Sequence, residues 1–151
     1  MQRRNFLGAA GALCLAALAG RTHAQERFSL FVASDPKNVE RMVSIAALRD
    51  HDVVIDLGSG DGRVVIAAAQ ANPTVRGLGV DIDAKLVQQA AANAAQAGVG
   101  ERVAFEHRNA FDADLGQVDV IFMWFFPELM RLLRTKILHE ARPGTRVVGA
   151  L

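Results

Sequence analysis

The sequence has no tyrosine, one cysteine, one tryptophan and four prolines among 151 residues. A lone thiol excludes a disulfide-stapled scaffold, and so few prolines exclude a proline-rich linker or ligand. At 51% hydrophobic and 22% charged, the chain is too apolar for disorder and lacks the composition of a coiled coil. No internal repeat and no Pro/Ser-rich stretch divides residues 25–151, so one domain with a real core is expected.

The cysteine lies in a segment read as separate from that domain. Residues 1–24 begin with Arg3 and Arg4, continue as an apolar run from Phe6 to Ala19, and leave through a polar stretch ending in Ala24. That order is expected of a bacterial export signal, and the run is short for a membrane span; an uncleaved N-terminal anchor is the alternative. Arg3-Arg4-Asn5-Phe6-Leu7 is similar to the twin-arginine class, whose cargo crosses already folded. Cys14 follows Leu13, so the small residue expected before a lipidated cysteine is absent. The expected location is the periplasm, or the membrane through the anchor, and the cytoplasm if the start site is misassigned.

Charge follows the same division. The whole chain has 17 basic and 16 acidic residues; losing Arg3, Arg4 and Arg21 leaves 14 against 16, a formal −2. Without clustered Lys and Arg the remainder is not expected to bind nucleic acid.

From residue 53 onward, short β-branched runs alternate with helical patterns. Strands are predicted at Val53 to Leu57, Val75 to Val80, Arg102 to Glu106, Val118 to Met123 and Thr145 to Ala150. Helices are predicted from Arg63 to Ala71, from Ala84 to Ala97 before Gly98, and from Pro127 to Glu140. A leading helix, capped by Asp35 or Ser34 with Pro36 in its first turn, is expected to run through Arg49. Such alternation implies an α/β fold, a Rossmann-like, mostly parallel sheet with helices on both faces.

The most informative segment is Asp56-Leu57-Gly58-Ser59-Gly60-Asp61-Gly62, between a buried strand and a helix. Alternate glycines permit backbone shapes and close approach that a Cβ would block, and the following helix offers free N–H groups. A nicotinamide or flavin fingerprint would need glycine where Arg63 stands. Asp81 ends the second strand about 20 residues on, where an acid can accept ribose hydroxyl protons, followed by Ile82. Asn109-Ala110-Phe111 follows the third strand; the Asn carbonyl suits an adenine amino group, and Phe111 suits either the ring plane or the core. Together these form an adenosine-shaped site at the carboxyl ends of the strands.

These three elements resemble the class I S-adenosylmethionine-dependent methyltransferases. The string from Val54 to Arg63, Val80 to Asp83, Pro127-Glu128-Leu129 and Arg142 to Val148 narrow the resemblance. They are similar to the small protein-lysine methyltransferases of archaea and mitochondria, including the ATP-synthase c-subunit methyltransferases, over about residues 31–148. The resemblance implies S-adenosyl-L-methionine as cofactor, with Asp56 near its ammonium and Gly58 to Gly62, Ser59 included, around its methionine part. It places Asp81 on the ribose and Asn109 on the adenine, and matches Ser34 and Asp35 to a segment that closes over the cofactor. The family's last helix and antiparallel strand pair find no counterpart after Thr145 to Ala150, so a domain short at that end is expected.

Methyl transfer from a sulfonium is an in-line displacement, for which alignment and exclusion of water supply most of the rate. A lysine acceptor must arrive neutral, and an apolar channel favours that form. Trp124, Phe125 and Phe126, after the fourth strand, are the channel candidates, with a core or docking role as the alternative. The remainder lacks the nucleophilic cysteine of cytosine C5 methylation and the Asn-Pro-Pro-Tyr motif of another branch. Asp112, Asp114, Asp119, His51, His107 and His139 form no recognisable metal pattern, so no metal is expected. The expected activity is methylation of a protein lysine, with a small-molecule acceptor or a non-catalytic, cofactor-binding homologue as alternatives. Export would separate the protein from the cytosolic supply of cofactor, which keeps the last alternative open.

Overall fold

Five short strands pair edge to edge. They are β1 (Val53–Leu57), β2 (Arg76–Asp81), β3 (Val103–His107), β4 (Val120–Met123) and β5 (Arg146–Gly149). The central β1 and β4 are the ones buried on both faces. The structure, a computed structural model, describes residues 35–149; residues 1–24 with Cys14, together with Ser34 and Ala150, lie outside the described residues. Every pairing is parallel, in the order β3-β2-β1-β4-β5, with Ile55 opposite both Leu78 and Ile121.

α1 (Pro36–Ala46) precedes the sheet, and α2 (Arg63–Ala71), α3 (Ala84–Gln96) and α4 (Pro127–Glu140) connect β1 to β2, β2 to β3 and β4 to β5. Alternation along the strands sorts the core into two layers. Val54, Val120, Phe122 and Val148 pack with Val39 and Met42 of α1, Val65 and Ala68 of α2, and Ala94 of α3. Ile55, Leu57, Ile121 and Met123 turn to the other face, against Leu133 and Ile137 of α4 and the loop residues Leu115 and Val118. Among the described residues no helix is long and apolar enough to cross a membrane.

The chain winds outward from β1 through β2 to β3, then returns to lay β4 on the free side of β1. The crevice between the carboxyl ends of β1 and β4 is therefore the topological switch point, where open α/β sheets take ligands. The segment after β1 is the glycine turn, and the segment after β4 begins with Trp124 and Phe125.

The leading helix stops at Ala46 rather than continuing through Arg49. Its end is held by a residue distant in sequence: the Arg146 guanidinium donates to the carbonyls of Ala46 (2.8 Å) and Ala47 (2.6 Å). The same side chain pairs with buried Asp52 at 2.5 Å, and the other Asp52 interaction accepts the Arg49 N–H at 2.7 Å. Ala47 turns left-handed, with φ 45°, and the helix ends there. β2 and β3 each start one residue later than predicted, since the Val75 and Arg102 N–H groups close turns onto Asn72 and Val99. β4 starts at Val120, because the Asp119 carboxylate accepts the Val53 N–H at 2.9 Å.

Arg146→Met removes a buried counter-charge and two carbonyl donors together, so it should cost about 2–4 kcal/mol. Arg142→Met breaks a more exposed pair with Asp119 and should cost less than about 1 kcal/mol. Chemical denaturation midpoints of the two variants check this ordering.

Candidate functional site

The glycine turn is fastened to the neighbouring strand by its own backbone. The N–H groups of Gly58 and Ser59 both donate to the Val80 carbonyl, at 2.8 and 3.0 Å. Gly62, with φ 83°, then caps α2. Behind the turn, Asn93 of α3 donates to the Asp61 carbonyl at 3.0 Å.

Asp81 closes this arrangement. One carboxylate oxygen accepts the Gly60 N–H at 2.8 Å and the other accepts the Asp83 N–H at 2.9 Å. Each oxygen has a second lone pair, so a ribose diol can still be received. Asp83 in turn caps α3 by accepting the Lys85 N–H at 2.8 Å.

Two of the glycines have a reason the sequence did not show. A Cβ on Gly58 would stand 2.6 Å from the Phe125 ring, and one on Gly62 would stand 2.7 Å from the Phe105 ring. Both have positive φ as well, 77° and 83°. Their missing side chains make room for aromatics of this chain, while the N–H groups of Gly58, Ser59, Gly60 and Gly62 are taken by Val80, Asp81 and Ser59.

The electrostatics call for a cation. Asp56 is buried, and that burial pushes its carboxyl well above the ordinary carboxylate range, assisted by the negative charges of Asp81 and Asp61. Its carboxylate has no hydrogen-bond partner among the described residues. A hydrogen bond from Arg63 holds the Asp61 carboxyl below the usual range, so Asp61 stays ionised beside it. Ser59 adds a buried hydroxyl without a partner among the described residues. A bound ammonium would neutralise Asp56, which no cation among the described residues does.

At the far end, Asn109 opens a short 3-10 turn, Ala110–Asp112, that the sequence reading did not anticipate. Its side-chain oxygen accepts the Phe111 N–H at 3.0 Å and keeps one lone pair; the Ala110 N–H has no partner among the described residues. An acceptor beside a donor matches an adenine edge, where an amino group adjoins a ring nitrogen. Ile82 presents an exposed apolar side chain next to Asp81, and its carbonyl meets His107 Nε2 at 2.9 Å. Phe111 packs against the α4-side layer.

The three aromatics after β4 do not form one channel. Trp124 packs with the layer of α1 and α2, Phe125 with the layer of α4, and Phe126 is 54% exposed at the start of α4. Phe125 is the one that meets the glycine turn. Phe105, Asn93 and His107 support the site although no motif marks them. No group of His, Cys, Asp and Glu among the described residues is placed to hold a metal ion.

Residues 56–150 match the family model described as the ANTKMT methyltransferase domain. The chain is 36% identical over 119 residues to a protein-lysine N-methyltransferase of Saccharolobus islandicus (strain REY15A), covering 79% of this chain and 74% of that one. It is 30% identical to the adenine nucleotide translocase lysine N-methyltransferase of Mus musculus, again over 79% of this chain but 51% of that protein. Among solved structures, an RNA methyltransferase from Salinibacter ruber in complex with S-adenosyl-L-homocysteine superposes with a TM-score of 0.75 at 39% identity, covering 78% and 76% of the two chains.

Ionised Asp56 is the form that would hold the cofactor's ammonium, and its raised pKa makes that form costly in the ligand-free protein. Between the ordinary carboxylate range and the raised value the native state holds more protons than the unfolded one, so stability falls as pH rises through that window. Asp56→Asn should therefore melt higher than the parent above the window and approach it at low pH. The same variant should bind S-adenosylmethionine about tenfold or more weakly, and parent affinity should fall as pH drops through the window. Thermal melts and calorimetric titrations across pH check both directions. Fold, site chemistry and relatives agree: the chain belongs to the ANTKMT methyltransferase domain family, S-adenosylmethionine-dependent methyltransferases of Rossmann-like fold.

Proposed function

We propose that this chain methylates the side-chain amine of a protein lysine. The observation that carries the reading is the Phe125 ring set across the switch-point crevice against the glycine turn, which follows Asp56 of β1 and is held by Asp81 of β2. The relatives named as lysine methyltransferases support it, although the chain spans only about half of the mouse protein.

Bound S-adenosylmethionine supplies an electrophilic methyl group. Asp56 is suited to the ammonium, the glycine turn to close approach of the methionine part, Asp81 to the ribose, and Asn109 with Ala110 to the adenine. Phe125 and the exposed Phe126 present apolar surface beside the crevice. Such surface disfavours the charged form of an arriving lysine and so favours the neutral amine that reacts.

The name of the Salinibacter ruber structure supports a second reading, an RNA acceptor. Charge disfavours it, since residues 25–151 are formally −2 without a basic run. The full chain, incubated with a bacterial lysate and cofactor carrying a labelled methyl, should label material that resists ribonuclease and yields methyl-lysine by mass spectrometry. Label lost to ribonuclease would establish the RNA reading instead, and label confined to metabolites a small-molecule acceptor. Cofactor binding without any transfer would mark a non-catalytic homologue. Asp81→Ala should weaken cofactor binding at least about tenfold and reduce labelling with it.

We also propose that residues 1–24 direct export. The Arg3-Arg4 start and the apolar run that follows support this. N-terminal sequencing of the protein recovered from a bacterial host should begin after Ala24; an intact Met1 would favour the anchor or a cytoplasmic protein.

A further inference from the structure

Phe125 belongs to the segment after β4, yet its ring reaches across the switch-point crevice to the first glycine of the turn after β1. A Cβ on Gly58 would lie 2.6 Å from ring atoms Cε1 and Cζ, so glycine is required for the ring to sit there. The turn beneath is held, since the Gly58 N–H donates to Val80 at 2.8 Å. The segment carrying the ring is also held. Trp124 packs into one core layer and Phe125 into the other, so consecutive residues grip opposite faces of the sheet. Phe125 is nevertheless only partly buried, and part of its ring stays open beside the turn.

An aromatic ring fixed at that point is a charge-sensitive surface, because its face is electron-rich and attracts a desolvated cation. S-adenosylmethionine carries a positive charge at sulfur, and S-adenosylhomocysteine, the product, is neutral there. The other groups assigned to the cofactor have their direct partners elsewhere: Asp56, Asp81, Asn109 and Ala110 would face an ammonium, a ribose and an adenine common to both molecules.

We propose that Phe125 is the residue that discriminates cofactor from product, by placing its ring against the sulfonium and so favouring the charged molecule. The ring then favours release of the spent molecule after each turnover, because its attraction ends when the sulfur becomes neutral. The proposal rests on the cofactor assignment and is independent of which acceptor receives the methyl.

The test is calorimetric titration of the full chain with S-adenosylmethionine and, separately, S-adenosylhomocysteine, at fixed pH and salt. Phe125→Leu should weaken the first about three- to tenfold more than the second. Because Leu leaves a smaller side chain against Gly58, a second series keeps the volume: mono-, di- and trifluorophenylalanine introduced at position 125 alone. Fluorine drains the ring face, so the preference for the charged ligand should fall stepwise along that series. Equal weakening of both ligands by Leu, or a preference indifferent to fluorine, would overturn the proposal and leave Phe125 a packing residue. If the parent chain bound neither molecule, the cofactor assignment itself would fail, an outcome distinct from an unchanged ratio.

Discussion

The site depends on the grip of Asp81 on two backbone N–H groups. Its carboxylate joins Gly60 of the turn after β1 to Asp83 at the start of α3. Those groups belong to different connections, and among the described residues no other side chain bonds to both. With Val80 accepting from Gly58 and Ser59, the grip turns a flexible glycine run into a rigid rim. An acid at this position supports the cradle before any ligand arrives and still has lone pairs for the ligand. Preorganisation of this kind lets binding energy align the reacting atoms instead of ordering the loop.

The same rim concentrates negative charge. Asp56, Asp61 and Asp81 come near one another at the edge of a buried sheet, and Arg63 answers the middle one. A domain selected for stability alone would not bury Asp56 without a partner, since an uncompensated buried carboxylate is disfavoured. The cost makes sense where a cationic ligand completes the arrangement. Elsewhere the chain pairs its buried charge: Asp52 has Arg146 and the Arg49 N–H. At the amino ends of the strands Asp52 and Asp119 are thus answered by arginines, while Asp56, near the carboxyl ends where the ligand crevice lies, has no such partner among the described residues.

Much of this was legible in the sequence, for reasons that can be named. The β-branched runs and the glycine after α3 are local signals, and the elements they predict formed within a residue or two. Asp81 and Asn109 stand at strand ends as their spacing predicts, while Asp56 was marked by the resemblance rather than by spacing. The end of α1 was not legible, because Arg146 sets it from about 100 residues away and no local pattern in Ala47-Leu48-Arg49 announces it. The short turn at Ala110–Asp112 was hidden by a motif that was read for its side chains rather than its backbone. The aromatic triplet was the least legible. Three adjacent bulky residues read as one surface, but strand alternation carried past Met123 sends Trp124 and Phe125 to opposite faces.

That divergence also changes the meaning of the glycines. A glycine at the first position of such a turn is commonly read as clearance for a ligand. Here the clearance at Gly58 is taken by the Phe125 ring and the clearance at Gly62 by Phe105. The turn is therefore enclosed by aromatic side chains, one below α2 and α3 and one from across the crevice, while its N–H groups point elsewhere. A polar rim against an apolar wall is the environment in which a charge difference of one unit at the ligand is felt most, because few water molecules remain to screen it. The glycines, the buried acids and the ring are thus three parts of one arrangement: the first admits the third, and the second and third leave a crevice suited to a cation.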